Sequence, residues 1–226
     1  KNYKINVKSI CDEITPATKL IYIANPNNPT GSYLSKNEVR DLMLKIPKNV
    51  IVVLDGAYAE YVEKDDYDSD FSLVNEFDNI ILTRTFSKVY GLAGIRLGWC
   101  YSSLKISSIL ARVKGPFNTN SIAQNIAIDA LDDQDYINNV VKNNKINKEW
   151  FESELNNLQI KVLPSFANFS FIELTEELAV KITNLLEKKG ILIRQLHSYG
   201  LPHCLRITIG TMSDMIKIIS VLKEIR

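Results

Sequence analysis

The apolar positions of this chain fall into two textures. In the first part, short uninterrupted apolar runs are separated by longer mixed stretches. Leu20 to Ala24, Val50 to Leu54 and Ile80 to Leu82 are too short for helices and do not alternate with polar residues. That pattern predicts strands buried on both faces, which belong to parallel sheets, and a weaker run at Leu97 to Tyr101 is read the same way. Between the first two runs, Ser35 and Glu38 have the spacing of a capping box, which predicts a helix from Ser35 to about Lys45. Strand, helix and strand in this order imply right-handed crossovers and a parallel sheet with covered faces.

From Ser121 to Leu158 the apolar residues Ile122, Ile126, Leu131, Val140, Val141, Trp150, Phe151 and Leu155 recur at helical spacing, with a break near Asp132 to Asp135. Beyond it the pattern shortens again. A strand in ANFSFIEL precedes a helix from Glu176 to Lys189, with Gly190 as a left-handed cap. Strands in ILIR and LRITIG follow, then a last helix from about Asp214. This predicts two domains, a mainly parallel α/β domain over residues 1–142 and a small α/β domain over residues 143–226.

In parallel sheets, ligands sit beyond the carboxyl ends of the strands. Three polar motifs fall there: Asn25 to Gly31 after the first run, Asp55 after the second and Lys88 after the third. An Asn-Pro-Gly stretch alone is a turn, and a strand-end aspartate alone opens one. Lys88, however, stands in TRTFSKVYGLAGIRLGW, with Thr85 and Ser87 before it and Arg96 after it. A lysine so placed can form a Schiff base with an aldehyde cofactor, while the hydroxyls and the guanidinium bind that cofactor's phosphate. Gly91 and Gly94 allow a tight turn between the lysine and the arginine.

Composition narrows the alternatives. With 226 residues, 46% hydrophobic and 23% charged, the chain can bury a sizeable core, and a net charge of +1 gives no overall field toward nucleic acid or an anionic membrane. The one charge run, Glu63 to Asp70, is acidic and reads as a solvated loop. Cys11, Cys100 and Cys204 lie too far apart for a metal-ligand spacing, so no metal site is expected, and unpaired thiols suit the cytoplasm. No apolar run reaches the about 20 residues of a membrane span. The two histidines, His197 and His203, read as surface or loop residues.

Taken together, ANPNNPTG, VVLDGAY and TRTFSKVYGLAGIRLGW resemble the fold-type I pyridoxal-phosphate aminotransferases. GIL-x-R at Gly190 to Arg194, YGLP at Tyr199 to Pro202 and LRIT-x-G at Leu205 to Gly210 are similar to the histidinol-phosphate branch. The resemblance implies a cofactor, pyridoxal 5'-phosphate, carried by Lys88. Asp55 would face the ring nitrogen, Asn28 and Tyr58 the phenolic oxygen, and Thr85, Ser87 and Arg96 the phosphate. Arg206 would take a substrate carboxylate, and Arg194 with Arg206 a substrate phosphate. It further implies transamination between glutamate and a phosphorylated amino alcohol, histidinol phosphate, in a homodimer. The loop Lys114 to Asn120 would reach the partner's site, although Phe117 stands where some members carry tyrosine. The family's N-terminal phosphate cradle and ring-stacking aromatic have no counterpart before Asn25, so the chain reads as an N-terminally truncated form. Two alternatives remain open. One keeps the fold and changes the substrate, as in aromatic aminotransferases or threonine-phosphate decarboxylases. The other is a non-catalytic fragment unable to hold the cofactor.

Overall fold

The computed structural model describes residues 3–224. They divide into two compact units, a larger one of residues 4–27 and 33–138 and a smaller one of residues 3, 28–32 and 139–224. No helix among the described residues is long and apolar enough to cross a membrane.

The larger unit opens with helix α1 (Val7–Asp12), capped by the Asn6 side chain, and strand β1 (Leu20–Ala24). Helix α2 (Lys36–Lys45) starts where expected, because Ser35 and Glu38 satisfy each other's backbone N–H groups in a full capping box. Strand β2 (Ile51–Asp55), helix α3 (Ser72–Glu76), strand β3 (Ile80–Thr85), strand β4 (Gly98–Ser102) and helices α4 (Leu104–Val113) and α5 (Ser121–Asp132) complete it. Helix α6 (Gln134–Asn157) begins here and continues into the smaller unit, after a break at Asp133.

The sheet order is β1-β2-β3-β4. β1, β2 and β3 pair in parallel, with Ala24 opposite Asp55 and Asp55 opposite Thr83, so the strand ends are level. β4 departs from expectation by running antiparallel to β3. The reason lies in the connection. Residues 86–97 form no crossover helix, and the Phe86 N–H bonds to the Leu97 carbonyl at 3.2 Å, so the chain turns straight back. β1 is also less buried than its apolar sequence implies, since it is an edge strand with Tyr22 73% exposed. One core packs Ile23, Val52, Leu54, Ile80 and Leu82 against Val39, Leu42 and Leu73, which holds the strand ends rigid.

The smaller unit has strands β5 (Lys161–Leu163) and β6 (Phe169–Glu173), helix α7 (Glu176–Lys188), strands β7 (Arg194–Leu196) and β8 (Leu201–Thr208) and helix α8 (Met212–Lys223). Gly190 follows α7 with φ of +76°, the left-handed cap the sequence predicts. The strand placed at ILIR begins only at its last residue, Arg194, and residues 191–193 pack their isoleucines on the core instead. The sheet, β5-β6-β8-β7, is antiparallel throughout. Phe151 and Leu155 of α6, Ile182 and Leu186 of α7 and Ile218 of α8 cover one face of it, against Ile172, Leu205 and Ile207.

Candidate active site

In the larger unit the level ends of β2 and β3 create the site. Asp55 closes β2, and its Oδ1 accepts the Ala57 N–H at 3.0 Å, turning the chain sharply toward Tyr58. Tyr58 is buried, and the Lys88 Nζ lies 5.2 Å from its ring centroid, a cation over an aromatic face. Thr85 ends β3, and its hydroxyl accepts the Ser87 N–H at 3.1 Å, which bends the chain so that Lys88 follows the strand immediately. The Gly91 N–H then bonds to the Lys88 carbonyl at 3.0 Å. Arg96 is exposed with φ of +55°, and its Nη1 donates to the Ala93 carbonyl at 2.7 Å. Asp55, Thr83, Thr85, Ser87, Lys88 and Arg96 line one open cleft of about 580 Å³. A basic amine, a carboxylate, a guanidinium and three hydroxyls therefore share one space at the carboxyl ends of parallel strands.

Thr83 lines the cleft without having been singled out from the sequence. Two residues before Thr85 on a strand, it shares the same face. The signal was missed because the expected strand stopped at Leu82, three residues before its actual end.

The connection after β1 is anchored by Asn25. Its side chain accepts the Leu34 N–H at 2.8 Å and donates to the Leu34 carbonyl at 3.1 Å, and both Asn–Pro bonds of the motif are cis. Residues 28–32 belong to the smaller unit. There Gly31, at φ of +74°, packs on Ser165 so closely that a Cβ would lie 2.1 Å from its Oγ, and its carbonyl accepts the Phe166 N–H at 2.8 Å.

In that unit Asn28 Oδ1 accepts a hydrogen bond from Arg206 Nη1. The guanidinium lies 5.2 Å over the Phe169 ring, and its Nε is buried with no acceptor among the described residues. Arg194 on β7 stands directly opposite Arg206 on β8, which places both side chains on one face of the sheet. Of the residues singled out from sequence, Asp55, Tyr58, Thr85, Ser87, Lys88 and Arg96 thus lie in the larger unit, and Asn28, Arg194 and Arg206 in the smaller. Phe117 is fully exposed in the loop after α4. His197 is exposed, while His203 Nε2 sits 2.9 Å from the Tyr3 hydroxyl.

The sequence profile of aminotransferase class I and II matches residues 1–222. The chain belongs to the class I and II aminotransferases. Within that family it is 42% identical to the histidinol-phosphate aminotransferase of Rhodopseudomonas palustris over 93% of its own length and 59% of the relative's. It is 39% identical to histidinol-phosphate aminotransferase 2 of Haemophilus influenzae over 100% of its length and 61% of the relative's. The chain thus spans about three fifths of the length of these curated relatives. Among solved structures, the Sinorhizobium meliloti histidinol-phosphate aminotransferase, in complex with pyridoxal-5'-phosphate, superposes with a TM-score of 0.86 at 29% identity, over 97% of this chain and 61% of that one. The Clostridium acetobutylicum histidinol-phosphate aminotransferase gives 0.90 at 25% identity, over 100% and 69%. The parallel sheet with its antiparallel last strand is therefore that of the fold-type I aminotransferases.

Proposed function

We propose that this aminotransferase exchanges an amino group between glutamate and histidinol phosphate, with pyridoxal 5'-phosphate as cofactor, as part of histidine synthesis in the cytoplasm and as a homodimer. Residues 1–142 would form its cofactor-binding domain and residues 143–226 its small C-terminal domain. The observation that carries the cofactor assignment is the cleft that gathers Asp55, Thr85, Ser87, Lys88 and Arg96. These residues fit the group: the donors suit a phosphate, the carboxylate suits a protonated ring nitrogen, and the amine suits an aldehyde.

Bound pyridoxal phosphate supplies an aldehyde and an electron-withdrawing ring. Asp55 would keep the ring nitrogen protonated by Coulomb attraction and a charge-assisted hydrogen bond. Thr85, Ser87 and Arg96 would hold the phosphate, the arginine bidentately. Tyr58 and Asn28 would donate to the phenolic oxygen. Lys88 would anchor the aldehyde and, once released by the incoming amine, carry the proton from the substrate carbon.

Arg206 would bind the glutamate carboxylate, and its buried Nε without an acceptor suits an anionic oxygen. Arg194 across the strand pair supports the phosphate substrate, because a phosphate monoester of nearly two charges favours paired guanidinium groups. Arg194→Ala is expected to raise KM for histidinol phosphate about tenfold or more, the worth of one charge-assisted hydrogen bond, and to leave KM for glutamate within about twofold. Steady-state kinetics of the two half-reactions decide it. Equal effects on both substrates would reject the phosphate role.

A further inference from the structure

The residue between the two cleft threonines, Arg84, carries a guanidinium that the chemistry above does not use. Side chains alternate along β3, so Arg84 leaves the sheet on the face opposite Thr83 and Thr85. Arg84 is only 8% exposed. Its Nη1 donates to the Thr83 carbonyl at 3.0 Å, its Nε lies 3.9 Å from Glu60 Oε1, and its guanidinium lies 5.0 Å from the centre of the Phe71 ring. The Thr83 carbonyl also accepts the Gly56 N–H at 3.0 Å. One oxygen therefore ties the guanidinium to the residue that follows Asp55. The guanidinium fills the place of a side chain at position 56, where a Cβ would lie 1.9 Å from Nη1. Glu60, two residues after Tyr58, is held on the other side of the same turn. Its second oxygen is buried without a hydrogen-bond partner among the described residues, and burial pushes its carboxyl up, with Arg84 opposing that rise.

We propose that Arg84 is a positioning residue, a buried brace that locks the turn from Asp55 to Glu60 and so fixes where the Asp55 carboxylate points into the cleft and where the Tyr58 ring meets the Lys88 amine. A turn held only by backbone and the Asp55 side chain would be free to rock about Gly56, which has no side chain to pack. A guanidinium can meet Thr83 and Glu60 together because its donors form a planar fork, whereas a lysine ammonium reaches one of them at a time. The geometry stands by itself, and its consequence for catalysis depends on the cofactor assignment proposed above.

The test is amide hydrogen exchange by NMR on the chain and on Arg84→Lys, Arg84→Ala and Gly56→Ala, with pyridoxal phosphate affinity measured in parallel by absorption. Protection of the amides of residues 56 and 57 is expected to fall about tenfold relative to Val52, whose N–H bonds to Asn79 at the far end of β2, as one net hydrogen bond is lost. Gly56→Ala keeps Arg84 but evicts its guanidinium, so it should reproduce that local loss even if Arg84→Ala folds poorly. Combining Gly56→Ala with Arg84→Ala should add little to either, since both remove the same contact. Cofactor affinity should fall about tenfold in each variant with Lys88 intact. Unchanged protection at residues 56 and 57, or an equal loss at Val52, would overturn the brace. If the parent chain takes up no pyridoxal phosphate, the cofactor assignment fails, while the exchange data still decide whether Arg84 locks the turn.

Discussion

At the scale of single residues, Lys88 carries the sharpest expectation. Its amine lies 5.2 Å from the centre of the Tyr58 ring, and among the described residues no other lysine lines the cleft. Incubation with pyridoxal phosphate followed by borohydride should add one phosphopyridoxyl group to the chain, the cofactor less one water and plus two hydrogens, and peptide mapping should place it on Lys88. Lys88→Ala should lose both that label and at least about a hundredfold in any transamination, the scale of a positioned acid–base group. A label on another lysine would reject the assignment. Residues of this kind were legible in the sequence because their chemistry needs fixed neighbours: Thr85, Ser87, Lys88 and Arg96 fall within one short stretch. Asn28 and Arg206 were legible only one at a time. The hydrogen bond between them spans 178 positions, a juxtaposition that no local pattern encodes. Arg84 was illegible for the opposite reason, since an arginine between two threonines, beyond the apolar run, reveals neither its burial nor its partners.

At the scale of elements, the capping box at Ser35 and Glu38 translated most directly from sequence to structure, because the whole interaction lies within four residues. Ser35 and Glu38 start α2 as expected, whereas α8, expected from about Asp214, starts at Met212 because Thr211 and Asp214 form a second capping box. Strand direction did not translate in the same way. An apolar run at residues 97–101 looks the same whether the chain has crossed over or doubled back, so β4 was expected to be parallel and is not. The α2 cap also sets a pH dependence. Burial pushes the Glu38 carboxyl up, but hydrogen bonds from Lys4 and Ser35 outweigh it, and its folded value lies below the ordinary one. The unfolded chain then binds more protons below about pH 5, so this contribution is complete above the unfolded value of about 4.3 and is lost as pH falls through the folded value. Glu38→Gln should lower the urea midpoint at pH 7 and have a smaller effect near pH 3. A cost that grows toward acid would contradict that sign.

At the scale of the whole molecule, apolar surface is distributed unevenly. Helix α5 of the larger unit buries only Ala123 and Ala127, while Ile122 is 70% and Ile128 60% exposed. Helix α4 buries only Ile106 and leaves Leu104 and Val113 in solvent. Helical spacing announced both the helix at α5 and its apolar residues, but periodicity cannot say which stripe meets a core, and here the small residues do. A side chain already in water has little burial to lose, whereas an alanine packed in a close-fitted interior has no room to grow. Ile122→Lys with Ile128→Lys should therefore shift the unfolding free energy by no more than about 0.5 kcal/mol each, while lowering the binding of an apolar fluorescent dye and any self-association at high concentration. Ala127→Leu, by contrast, should cost about 1–3 kcal/mol through overpacking. Urea unfolding of the two sets, run side by side, decides which face of α5 this chain packs inward; a large loss from the lysines with a neutral leucine would reverse the assignment.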